Sequence, residues 1–162
     1  MAHTYVSDEM RTERGRWGTE RVSQAIAACD IRRWAIATYW PERPPPLYWD
    51  EAVARGTRWR GIIAPPDFNP FAWPVERPPR RAGPAPGPRP DGKPLTGMNG
   101  GQTDTYGVPM RPGDVIRAKS RLTDWTEREG RLGLTLYVTT ETEWSNQKDE
   151  LVRRRLSIGI RY

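Results

Sequence analysis

The chain is poor in the residues that most catalytic sites are built from. It has one histidine, His3, and one cysteine, Cys29, in 162 residues. His3 lies in a polar leading segment. The folded body therefore has no Ser-His-Asp triad, no Cys-His pair and no histidine-based metal site, and no metal is expected. A single cysteine excludes an internal disulfide and fits a reducing cytoplasm, the expected location. No apolar run approaches the roughly 18 residues that a bilayer span needs, so no membrane association is expected. Residues 1–17 have no hydrophobic stretch of the kind a signal peptide carries.

What is abundant is proline, glycine, tryptophan and arginine. There are 17 prolines, 15 glycines and 8 tryptophans, and 36% of residues are hydrophobic. Disordered chains are poor in aromatics, so this composition predicts one compact domain with a Pro-rich insertion. The formal charge is +6. Such an excess suits nucleic acid, an acidic partner or a phosphorylated cofactor such as coenzyme A. No helix-turn-helix, zinc-finger or aromatic RNA-binding pattern accompanies it, so no nucleic-acid partner is expected.

Residues 1–19 read as a flexible arm and 20–162 as a single domain. A helix is expected over 23–38, with Ser23 as its N-cap. Ala27, Ile31, Trp34, Ala35 and Thr38 would form its buried stripe, and Pro41 would end it. Asp50 is placed to cap a short helix over 51–55, closed by Gly56. The stretch 77–95, "RPPRRAGPAPGPRPDGKPL", cannot pack a core and reads as an exposed loop. Beyond it the period changes to two. Ile116, Ala118, Ser120 and Leu122 share one face. Leu132, Leu134, Leu136, Val138 and Thr140 share the next, and Val152, Leu156, Ile158, Ile160 and Tyr162 the last, with Arg154 interrupting. Turns at 127–131 and 145–150 are short enough for hairpins. Helices followed by an antiparallel meander define an α+β class.

These segments carry a family pattern. "AIAACDIRRWAIATYWPERPPPLYWDEAVARGTRWRGIIAPPDF" resembles the front half of MaoC-like domains, in particular FAS1-like dehydratase N-terminal domains. The matching pieces are Leu47-Tyr48-Trp49-Asp50, Ala54, and Gly61 with Ala64-Pro65-Pro66-Asp67-Phe68. "RPGDVI", "REGRLGLTLYVTTET" and "NQKDELVRRRLSIGIRY" are similar to the back-half blocks. Two departures are the long basic loop over 77–95 and Lys148-Asp149, where the family favours a glycine turn. The resemblance implies a hotdog fold, an antiparallel sheet of about five or six strands around a central helix. Here "DFNPFAWPVERPP" is broken by prolines, so that helix is expected to be short or absent.

The resemblance also implies a function. Family hydratases use an Asp and a His five residues later to activate water beside an acyl-thioester. General acid–base catalysis needs two titratable groups reaching one reacting centre. Aligning the turn on Pro46-Leu47-Tyr48 puts Tyr48 at the histidine and Arg43 at the aspartate. Arginine is never a base in proteins, and the reference pKa of tyrosine is about 10. The chain thus resembles the silent half of a two-part enoyl-CoA hydratase. The implied partner is a catalytic MaoC-like subunit, in a heterodimer or heterotetramer, and the implied ligand is a bulky acyl-CoA such as a steroid side chain or polyketide. No cofactor beyond the coenzyme A thioester substrate is implied. The alternative is a self-contained homodimer, a dehydratase, thioesterase or cyclase using Asp67, Asp104, Tyr48 or Tyr106. A third is a binding module without turnover.

Candidate residues have two readings each. Trp49, Phe68, Phe71 and Trp73 would line an acyl tunnel, or belong to an ordinary core or interface. Arg77, Arg80 and Arg81 would meet coenzyme A phosphates, or stay solvated. Asp67 is a base if desolvated, or caps the next turn. Asp104 and Tyr106 are pocket residues, or pair at a dimer seam. Gly100 and Gly101 admit substrate to the backbone, or form a bulge. Asp114 is expected to tie its turn, and Cys29 to be buried and inert.

Overall fold

A computed structural model describes residues 3–74, 83–131 and 133–162. The second half of the chain builds the sheet. Its strands are β2 (Gly97–Tyr106), β3 (Arg117–Gly130), β4 (Gly133–Ser145) and β5 (Leu151–Arg161), with a two-residue β1 (Arg21–Val22) from the first half. They lie in the order β1-β3-β4-β5-β2, and every neighbouring pair is antiparallel. The meander follows from the two hairpins. β3 runs on to Gly130, which pairs with Gly133, so the first hairpin is tighter than the sequence suggests. In the second, the Asn146 Oδ1 accepts from the N–H groups of Lys148 and Glu150. Asp149 takes the left-handed backbone, φ 62°, where relatives favour glycine; a short polar side chain tolerates that region.

One face of the sheet is covered at both ends. At one end, Ile26, Ile31, Ala54, Ile62, Ala64 and Phe68 pack on Met110, Ile116 and Val152. These come from helix α2 (Ala28–Tyr39), helix α3 (Glu51–Arg55) and the loop after it. At the other end, Tyr5, Val6 and Met10 pack on Leu122 and Leu136. Burying a side chain of this size contributes about 1.5–3 kcal/mol.

The second cluster corrects the reading of residues 1–19 as a loose arm. Helix α1 (Asp8–Glu13), capped by the Ser7 side chain, lies against β3. The Tyr5 N–H donates to Glu127 Oε1 at 2.6 Å, and Gly15 and Gly18 donate to the Leu122 and Ser120 carbonyls. The segment is polar in composition, but three of its apolar residues, at 5, 6 and 10, suffice to seat it. The far side of the segment meets the Pro-rich loop, where the Ser7 hydroxyl donates to the Ala85 carbonyl and Gly87 N–H to that of Tyr5.

Other expectations are also revised. Helix α2 starts at Ala28, and its N-cap is Ala27 without a side-chain bond. Ser23 instead accepts the Ile116 N–H at 2.9 Å, tying the approach to the helix onto the sheet. Ile31 and Ala35 are fully buried; Ala27, Thr38 and Cys29 are exposed, because the stripe turns outward at both ends. Asp50 does cap α3, accepting from the Ala52 and Val53 N–H groups. Among the described residues no helix lies between Arg55 and Gly97, where the family places its central one. On β5 an extra residue, Val152, interrupts the register opposite Trp144 and Ser145. It turns Val152 into the core, while Leu156 and Ile158 face outward, 42% and 38% exposed. A bulge shifts which residues share a face. Leu132 lies outside the described residues.

Candidate functional site

The turn aligned above with the family dyad is a short 3-10 segment at Pro46–Tyr48, set by three consecutive prolines and followed directly by α3. Arg43 does not reach into a cavity. Its guanidinium stacks on Trp49 at 4.7 Å, and the Trp49 Nε1–H donates to the Pro44 carbonyl at 3.0 Å. Tyr48 packs against the core and sits beside Tyr39, with ring centroids 6.0 Å apart. Burial and the hydrogen bond to Tyr39 push the Tyr48 phenol up to about 12, with the nearby Asp67 carboxylate adding to the effect. Asp67 is exposed and does not cap the following turn; the Asn69 carboxamide does, accepting from Phe71 N–H at 3.0 Å.

The four aromatic candidates do not converge on one tunnel. Phe68 is buried and packs edge-on against Trp34, which Trp73 also meets at 6.0 Å. Trp73 is half exposed and borders an open cleft of about 560 Å³ with Asp30, Arg33, Trp34 and Ala37. Phe71 meets Trp144 edge-on and lies under Arg21. Trp49 stays in its own turn with Arg43. Arg77, Arg80 and Arg81 lie outside the described residues.

The covered face of the sheet is apolar at both ends and polar between them. Cross-strand pairs share a face, so the register gives its rows. Toward the α2 end, Tyr106, Arg153, Trp144 and Ala118 form one row. Arg153 is 3% exposed; it stacks on Trp144 at 3.5 Å and donates to the Pro66 carbonyl. The next row is Asp104, Arg155, Thr142 and Ser120, and the one after is Gln102, Ser157, Thr140 and Leu122. Arg155 grips Asp104 with two N–H groups, both at 2.7 Å. That bond holds the Asp104 carboxyl below the usual carboxylate range and raises Arg155 in turn. The Tyr106 hydroxyl reaches Asp104 only at 3.5 Å. Asp104 is therefore a held anion, not a desolvated base, and its partner Arg155 had no distinguishing mark in the sequence beyond lying in a run of three arginines. Tyr39 was missed in the same way.

Beside these rows, next to β2, lies an open groove of about 430 Å³. β2 itself pairs with β5 along one edge only. Its residues are exposed except Asp104, and Met98 and Tyr106 are about half exposed. The pair Gly100-Gly101 forms a bulge: the register shifts there and Gly101 has φ 120°. A Cβ on Gly100 would stand 2.9 Å from Ile160 and 3.0 Å from Ile158 side-chain carbons. No helix among the described residues is long and apolar enough to cross a membrane.

A long-stranded antiparallel sheet, covered on one face by helices and open along one edge strand, defines the class. The model of the FAS1-like dehydratase domain region matches residues 14–155, and the chain belongs to that family. The fold is a hotdog, shared with solved structures of low identity. The chain is similar to one in the ChsH1-ChsH2 complex from Mycobacterium tuberculosis, with TM-score 0.75, 18% identity, and 96% of this chain and 89% of that one covered. It is also similar to the R-hydratase PhaJ1 from Pseudomonas aeruginosa, with TM-score 0.56, 18% identity and coverage of 91% and 80%. A chain of the truncated HadBC (3R-hydroxyacyl-ACP dehydratase) complex from Mycobacterium tuberculosis matches with TM-score 0.55, 14% identity and coverage of 87% and 95%. No curated protein matches the chain.

Proposed function

We propose that this chain is the non-catalytic hotdog subunit of a two-chain MaoC-like (R)-specific 2-enoyl-CoA hydratase or dehydratase. The observation that carries the reading is the content of the dyad positions. Arg43 is stacked on Trp49, and Tyr48 is a phenol held neutral by burial and by Tyr39. Neither can take the proton that water must lose at neutral pH. The reaction then needs an Asp and a His from another chain.

The open edge supports such a partner. A ten-residue strand with no lysine and no proline is a template for pairing unless something covers it. Among the similar structures are complexes of two different hotdog chains, ChsH1-ChsH2 and HadBC. The partner proposed here is a MaoC-like chain with an intact Asp-x4-His pair. With no helix among the described residues between Arg55 and Gly97, there is space over the sheet for a bulky acyl group, a steroid side chain or a polyketide being the sizes in view. A cytoplasmic location follows from the acyl-CoA substrate on this reading.

The test is co-expression with such a partner encoded nearby, followed by light scattering on the eluted peak and an enoyl-CoA hydration assay. A mixed complex that is active where this chain alone is silent is the expected result. Turnover of crotonyl-CoA by the lone chain overturns the reading.

A further inference from the structure

The groove beside β2 has a floor unlike that of a hydrocarbon tunnel. It is lined by Asn99, Val138, Thr140, Ser157, Gly159 and Arg161 among others. The register puts Val138 opposite Gly159 and Thr140 opposite Ser157, so these residues stand on the covered face beside the cluster of Leu122 and Leu136, against which Val138 packs. Toward the α2 end the floor continues into Thr142 and Ser120, whose hydroxyls bond each other at 2.8 Å, and into the Asp104–Arg155 pair. The Thr140 and Ser157 hydroxyls have no such partner among the described residues. Gly97 and Gly159 let the Arg161 guanidinium lie over the backbone; a Cβ on Gly97 would come within 3.0 Å of Nη1. One N–H of that guanidinium bonds the Ile160 carbonyl at 2.8 Å.

A hydrocarbon tail laid in this groove gains contact with Met98, Val138 and Ile158 but strips water from two hydroxyls and a guanidinium without replacing their hydrogen bonds. A tail with oxygens restores those bonds. We infer that the groove selects an oxygenated acyl group, one bearing hydroxyl, keto or ether oxygens away from the thioester, over an alkyl chain of equal length. This rests on the hydratase reading and deepens it, since it names what the silent half contributes to specificity. The volume is that of a small-molecule site. A site built around hydrogen bonds rejects the analogue that lacks them far better than an apolar site rejects added oxygen.

The experiment uses the complex of the full chain with its catalytic partner. Two 2-enoyl-CoA substrates of equal length are compared, one with an alkyl tail and one with distal hydroxyls. The expected result is a higher kcat/KM for the oxygenated substrate. Thr140→Val and Ser157→Ala should each reduce that ratio, by roughly fivefold, as expected for one neutral hydrogen bond. Both should act on the oxygenated substrate more than on the alkyl one, and Thr140→Ser, which keeps the hydroxyl, should retain the ratio. Equal kcat/KM for the two substrates, or a ratio that ignores both variants, overturns the inference while leaving the hydratase reading intact. If no complex is active, that reading fails, and the groove is then judged by calorimetry of the saturated acyl-CoA pair on the chain itself. Tighter binding of the oxygenated member, lost in Thr140→Val, supports the groove; equal binding overturns it. Hydrogen exchange that shows β4 and β5 protected at the groove by the partner alone also overturns it, because the partner then fills the space.

Discussion

Asp104 on β2 and Arg155 on β5 face each other across the strand ladder, joined by two parallel hydrogen bonds of 2.7 Å. The pair fixes the outermost strand to the sheet. Its bond to Arg155 keeps the folded-state pKa of Asp104 below its unfolded value. The sign follows from proton binding. The unfolded chain binds the proton more readily, so the pair stabilises the fold above the ordinary carboxylate range. That contribution falls away as pH drops through the lowered pKa. Asp104→Asn should therefore lower Tm near neutral pH, and the deficit should shrink as the pH is taken below the carboxylate range. Melting curves across pH check it; a deficit constant with pH would assign the effect to packing.

Tyr48 gives the opposite limb. Burial and the hydrogen bond to Tyr39 push its phenol up from the ordinary 10.0 to about 12 in the fold. Here the folded chain holds the proton more tightly. The stabilisation is fully present below the unfolded pKa and is lost as pH rises from about 10 towards 12. Phenolate absorbance should show one of the six tyrosines ionising late. Tyr48→Phe should remove that last step and leave the others. It should also leave the hydration rate of the assembled complex nearly unchanged, since a neutral phenol abstracts no proton there.

Met10 tests the seating of the leading segment. It is 1% exposed and packs with Tyr5 and Val6 on Leu122 and Leu136. Met10→Ala should cost about 2–5 kcal/mol, the range for opening a cavity at a buried methionine. Urea denaturation measures it. A loss under about 0.5 kcal/mol, the scatter of ordinary surface substitutions, would mean that the segment does not cover the sheet in solution.

The start of the sheet was legible because alternation survives into β3: Ile116, Ala118 and Leu122 are buried as their period predicts, with Ser120 the polar exception. Asp50 was legible because a carboxylate before Glu51-Ala52 has few other uses than a cap. The seating of residues 1–19 was not, since three apolar residues among charges carry no period. Val152 was not, because a one-residue bulge is set by the partner strand and reverses every later side chain. The aromatic candidates were open in sequence between tunnel lining and core or interface, and only tertiary packing decides that Phe68, Phe71 and Trp49 take three different neighbours. The polar rows between the clusters were visible as Ser120, Thr140, Thr142 and Ser157, but the register was needed to put them side by side.

The free edge of β2 offers the most direct check on assembly. Thr103 pairs with Leu156, is exposed, and lies on the outer face, away from both the groove and the core. A lysine on an edge strand opposes pairing with another strand, because its ammonium must stay in water. Thr103→Lys should leave the stability of the isolated chain within about 0.5 kcal/mol, as surface substitutions do. It should weaken association with the catalytic partner by about tenfold or more, equivalent to about 1.4 kcal/mol. Thr126→Lys, an exposed position on β3 two strands removed from β5, serves as the control and should change neither quantity. Titration by light scattering or calorimetry distinguishes the outcomes. If both variants bind the partner equally well, β2 is not the junction.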